Sequence, residues 1–155
     1  MNVQLRSLGS VREDIDEVLE LWRKVQLVHL QLTARLHRGL IADVGSSYQD
    51  HVVLTELLVG PKRLSDLGRR VGFEKSRLSH QIDRLERDGL VRRRPSDTDG
   101  RSAEVVLTAA GKRLQRQATP GHLRRVEALF DAHLTAAERR SIGTAADRVL
   151  RHLGE

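Results

Sequence analysis

Apolar positions fall into a helical rhythm from early in the chain. Ser10 followed by Glu13 has the form of a capping box, and after it Ile15, Trp22, His29 and Leu36 recur every seven residues on one stripe. Val18, Leu21, Val25, Val28 and Leu32 make a second stripe with the alternating three and four spacing of a coiled-coil seam. The pattern predicts one long helix, apolar on too wide a front for a single domain to cover. One stripe is expected to pack in its own domain and the other against a second copy of the chain.

Ser46 and Ser47 open a second predicted helix carrying Val53, Leu54, Leu57 and Leu58, which Gly60-Pro61 closes. The rhythm then shortens. Leu64, Leu67 and Val71 give barely two turns, Gly72 breaks them, and a third helix runs from about Glu74 to Asp88 before Gly89 stops it. Leu78, Ile82 and Leu85 share one face of that helix and must go inward. At 100° per residue the opposite face presents Ser76, His80, Asp83, Arg84 and Arg87, flanked by Arg77 and Ser79. Two short helices, a glycine turn and a wholly polar outer face on the second are the parts of a helix-turn-helix, whose second helix enters the major groove of duplex DNA.

From Leu90 the chain reads as a strand, a turn-rich loop PSDTDGR and a second strand with Ala103, Val105 and Leu107 alternating inward. A hairpin in this position makes a winged helix. Thr108 caps a further helix, expected to bend or stop at Pro120-Gly121 and to resume through Leu123, Val126, Leu129 and Phe130. Thr135 with Glu138 forms another capping box, opening a last helix with Ile142, Ala146, Val149, Leu150 and Leu153 on one side.

Charge sharpens this picture. The 155 residues carry a formal charge of +6, and residues 62–101 hold 12 Lys/Arg against 7 Asp/Glu, so most of the excess lies on the predicted helix-turn-helix and wing. The absence of cysteine excludes disulfides, thiolate metal sites and a cysteine nucleophile. No apolar run approaches the roughly 20 residues of a bilayer span and no signal-peptide block opens the sequence, so a cytoplasmic location without membrane association is expected. No phosphate-binding glycine loop, GxSxG or HExxH occurs, and the carboxylates lie scattered beside arginines, so neither an enzyme nor a cofactor is expected. The seven histidines form no ligand spacing for a metal.

The strings LSDLGRRVGFEKSRLSHQIDRLERDGLVRR and DGRSAEVVLT, in this order of elements, resemble the MarR family of bacterial transcription regulators over roughly residues 10–153. The resemblance implies a mainly α fold with a small β-wing, a winged helix-turn-helix flanked by N- and C-terminal dimerisation helices. Within a single domain spanning 1–155, residues 10–45 and 109–153 would dimerise and residues 46–108 would bind DNA. It also implies a homodimer on a pseudo-palindromic operator, usually a repressor released by a small phenolic or carboxylate ligand. Ser76, Arg77, Ser79 and His80 match the segment that faces the major groove. Asp99 and Arg101 match the wing pair, in which the acid orients the arginine for the minor groove. Glu74 departs from the small cap the family prefers; a carboxylate there still suits helix amides but repels phosphate.

Arg77 is the best base reader, because a guanidinium donates twice to guanine O6 and N7. Ser79 and His80 are able to read bases or phosphates. For Arg84 and Arg87, phosphate contact and ion pairing with Asp83, Glu86 or Asp88 are equally open. Strand alternation puts at most two of Arg92, Arg93 and Arg94 on one face, with Arg93 the odd one out. Trp22, His29 and His51 make a candidate pocket for an aromatic anion, against the plainer reading of His29 as core packing. An architectural winged helix that coats DNA with little sequence preference fits the same charges.

Overall fold

The computed structural model describes residues 3–96 and 103–154, with side chains described from residue 15. The chain divides into two compact units, residues 1–35 and 36–155. Helix α1 runs Val3–Val44, so it starts well before Ser10 and passes through the expected capping box. A serine within a helical run carries no obligation to start it. In the first unit Ile15, Val18, Leu21, Trp22, Val25 and Val28 are all about half exposed or more, whereas Leu36, the last position of the first stripe, is buried in the second unit. His29 is exposed too, which overturns its reading as a packed core histidine.

In the second unit, α2 (Tyr48–Leu58) begins at Ser47, whose hydroxyl accepts the Asp50 N–H at 3.0 Å. Helices α3 (Leu64–Val71) and α4 (Lys75–Arg87) follow, separated by Gly72 at φ 66°, a left-handed turn that costs glycine nothing. Gly89, at φ 71°, ends α4 while Leu90 N–H returns to the Leu85 carbonyl at 2.9 Å, the closing bond of a Schellman turn. Val53, Leu54 and Leu57 from α2, Leu67 from α3, and Leu78, Ile82 and Leu85 from α4 meet Val91, Val105 and Leu107 in one core. Each such burial is worth about 1.5–3 kcal/mol, which fixes the inward face of α4 and so leaves its polar face out.

The hairpin strands β2 (Val91–Pro95) and β3 (Ala103–Leu107) pair antiparallel with Val91 opposite Leu107 and Arg93 opposite Val105. Ala103 is exposed, so only Val105 and Leu107 of the expected inward set reach the core. A two-residue strand, β1 (Lys62–Arg63), adds on the other edge to give the order β1-β3-β2. It had no signal in the sequence, since two basic residues after a proline do not resemble a strand.

Helix α5 (Ala109–Leu129) is capped by the Thr108 hydroxyl and continues unbroken through Pro120, so of the expected bend or stop the stop does not occur. Pro120 and Arg116 are exposed, so the one carbonyl deprived of its intrahelical partner is reached by water, while Gln115, Ala118 and Gly121 keep the opposite face buried. A short 3-10 turn (Asp131–His133) precedes α6 (Ala136–His152), whose Thr135–Glu138 capping box is complete. Ile142, Val149 and Leu150 on α6 remain half exposed, and Leu153 beyond it more so. No described helix is long and apolar enough to cross a membrane.

Candidate nucleic-acid interface

Burial of Leu78, Ile82 and Leu85 turns the other side of α4 to solvent. Ser76, Arg77, His80, Asp83, Arg84 and Arg87 are exposed, and Ser79 is partly covered on the flank. A shallow depression is lined by Arg77, His80, Gln81, Arg84 and Arg87 together with Ser47 and Gln49 at the start of α2. The sequence pattern placed Arg77, His80, Asp83, Arg84 and Arg87 on this face, but not Gln81, Ser47 or Gln49. Glu74 is the N-cap residue of α4 but its side chain makes no capping bond, so the expected amide capping by its carboxylate does not occur.

The positive charges on this face are not equivalent. The Arg77 guanidinium lies over the Phe73 ring, 4.4 Å from its centroid, and makes no ion pair among the described residues. Stacking on an aromatic holds a guanidinium in place without neutralising it, which leaves its donors available. Arg87 and Arg92 are likewise exposed and make no ion pair among the described residues. Arg84, by contrast, pairs with the carboxylate of Asp50, which is only 4% exposed, and its other nitrogen faces Asp88 at 3.9 Å. The same Asp50 oxygen also accepts from Gln81 Nε2 at 2.9 Å. Burial alone would raise the Asp50 carboxyl, but hydrogen bonds from Arg84, Ser47 and Gln81 hold it below its ordinary value, so the group is charged.

Arg93 turns the opposite way from Arg92, as strand alternation requires, and ties the hairpin to α4. Its guanidinium reaches Glu86 at 2.5 Å and Asp83 at 2.6 Å, and its backbone N–H donates to Glu86 at 2.7 Å. Arg94 lies 3.6 Å from Glu104 on the neighbouring strand. Part of the basic excess in residues 62–101 therefore braces the fold, and among the described residues Lys75, Arg77, Arg87 and Arg92 are exposed cations without an ion pair. Asp99 and Arg101, the expected wing pair, lie outside the described residues.

The three residues of the expected ligand pocket fall in different units. Trp22 and His29 are exposed on the first, and His51 is buried in the second. His51 stacks obliquely on His122 with ring centroids 4.3 Å apart, and Gln115 Nε2 donates to the His51 carbonyl at 3.1 Å. The Nδ1 atoms of both histidines and Oε1 of Gln115 are buried without a hydrogen-bond partner. Burial, helped by His122, lowers His51 to about 4, so it is neutral at physiological pH. Among the described residues no three His, Asp or Glu side chains are grouped to hold a metal.

A sequence profile of the MarR family matches residues 45–102, the stretch that contains α2, α4 and the first strand of the hairpin. AbsC, a MarR family transcriptional regulator from Streptomyces coelicolor, is 32% identical over 87% of this chain and 93% of its own, with a TM-score of 0.78. The chain belongs to the MarR family. Another MarR family regulator of S. coelicolor, Sco3205, is 29% identical over 86% of both chains with the same TM-score, and its structure is a complex with DNA. The HTH-type transcriptional repressor YetL of Bacillus subtilis is 33% identical over 67 residues, 43% of this chain and 40% of its own length, so the chain matches less than half of that curated relative. These relatives are transcriptional regulators rather than enzymes.

Asp50, Gln81 and Phe73 beside this MarR interface, and His122 beside His51, are the neighbours that sequence reasoning missed. Asp50 has the sequence signature of an ordinary first-turn acid behind a serine cap. Its partner Arg84 lies 34 residues away, and nothing local announces the pairing.

Proposed function

We propose that this MarR-family chain is a sequence-specific DNA-binding regulator of transcription, acting as a homodimer and most simply as a repressor. The observation that carries the reading is the outer face of α4: polar throughout, fixed by a leucine core behind it, and bearing arginines that the fold leaves unneutralised. Ser76, Arg77, Ser79 and His80 would meet base edges and backbone in the major groove, and Asp99 with Arg101 would serve the adjacent minor groove. The DNA complex of Sco3205 supports this use of the fold.

Homodimerisation accounts for the apolar positions left uncovered on α1 and α6, with residues 10–45 and 109–153 pairing and residues 46–108 contacting DNA. A small phenolic or carboxylate ligand acting through His51 would release the repressor. The unpartnered buried nitrogens of His51 and His122 support a polar ligand group there.

Selecting bound fragments from a random duplex pool tests the reading. An inverted repeat with half-sites about 34 Å apart, or a multiple of that, is the expected product. Binding without enrichment would favour an architectural protein, and no binding would refute DNA recognition altogether.

A further inference from the structure

We propose that Asp50 is a positioning residue that sets sequence selectivity by holding Gln81 and Arg84 of α4 against α2. The inference rests on the DNA reading above and assigns to that interface a determinant that touches no base. Asp50 is buried, charged, and bonded through one oxygen to two side chains three residues apart on α4. Residues at that spacing lie on one stripe of a helix, so the carboxylate grips α4 along a short line rather than at a point. A two-point grip resists roll about the helix axis. Side-chain tips stand about 5–6 Å from that axis, so a 20° roll moves Ser76, Arg77 and His80 by about 2 Å, enough to lose a base contact.

The same grip withholds a charge. With its guanidinium on Asp50 and its second nitrogen facing Asp88, Arg84 is directed along the protein rather than outward, although its side chain is 45% exposed. A cation held in this way adds little to phosphate binding, which is insensitive to sequence. Asp50 thereby lowers affinity for random duplex and raises the fidelity of the α4 face.

The test compares wild type with Asp50→Asn on two duplexes, the one best selected by wild type from a random pool and a scrambled version, across a KCl series. Asparagine still accepts from Gln81 but no longer pairs with Arg84. The salt dependence should steepen by about 0.9 in log affinity per log salt, as one more phosphate is neutralised. The preference for the selected duplex should fall by about tenfold, the size of one misaligned base contact. An unchanged slope and preference in a folded Asp50→Asn protein would overturn the proposal. Arg84→Ala, which removes one of the two holds on α4 while Asp50 keeps Gln81, puts the question independently of how well Asp50→Asn folds. Preference should fall without a shallower slope, whereas an equal loss on both duplexes with the slope shallower by about 0.9 would make Arg84 a phosphate contact and overturn the proposal. Failure of wild type to prefer any duplex would instead refute the sequence-specific reading on which the proposal rests.

Discussion

Gly111 tests whether the docking of α5 on the hairpin is as tight as the structure shows. It occupies the first turn of α5, where the general rule favours alanine, which gains about 0.5–1 kcal/mol over glycine inside a helix. Geometry argues the other way. A Cβ at this position would stand 2.2 Å from the Leu90 carbonyl oxygen and 2.8 Å from Cδ2 of Leu107, where ordinary contact begins at 3.4 Å. The shortfall of about 1.2 Å is against backbone, which has no rotamer to yield. That carbonyl also accepts the Thr108 N–H at 3.1 Å, so displacing it loosens the junction between hairpin and helix. Overpacking of this kind costs about 1–3 kcal/mol, and a weakened hydrogen bond adds about 0.5–1.5 kcal/mol. Against the helical gain, Gly111→Ala should lose about 2 kcal/mol, which lowers Tm by roughly 4–8 °C in a chain of this size. Thermal unfolding followed by circular dichroism at one fixed protein concentration measures it. A Tm equal to or above wild type would refute the contact and the reasoning built on it.

Three further outcomes are expected. Arg93→Ala strips Asp83 and Glu86 of a partner, and since these pairs are one-third to one-half exposed the loss should be about 1 kcal/mol or less, visible at low salt and absent near 1 M; a salt-independent change would contradict an ionic brace. Arg101→Ala should weaken duplex binding with little change in Tm, and a large drop in Tm would make it a structural residue. His51, lowered from 6.5 to about 4 in the fold, binds fewer protons than the unfolded chain between those values. Stability should therefore be complete above pH 6.5 and decline as pH falls towards 4, with His51→Gln flattening the decline; an equally steep decline in that variant would refute the assignment.

Much of the fold was legible because each element announces itself locally. Leu78, Ile82 and Leu85 fix the inward face of α4 by spacing alone, Gly72 and Gly89 mark its turns, and the Thr108 and Thr135 caps fall where the serine and threonine rules put them. The polar face of α4 followed from the same arithmetic. What escaped was non-local. Lys62 and Arg63 become a strand only because β3 offers them an edge, and Pro120 is tolerated only because its turn faces water. At the interface, residue types showed which arginines were present but not which were already paired. Arg84 meets Asp50, and Arg93 meets Asp83 and Glu86, through contacts set by how α2, α4 and the hairpin pack.

The central claim is that the solvent face of α4 reads bases, and Arg77 is its most exposed test. Affinities of wild type and Arg77→Ala should be measured on the duplex selected by wild type, on its single-base variants and on a scrambled duplex at one salt concentration. Wild type should prefer the selected duplex over the scrambled one by about a thousandfold or more, and Arg77→Ala should lose about 1–3 kcal/mol on the selected duplex while becoming indifferent at one base position per half-site. A loss of the same size on every duplex, or no preference in wild type, would contradict base recognition by this face.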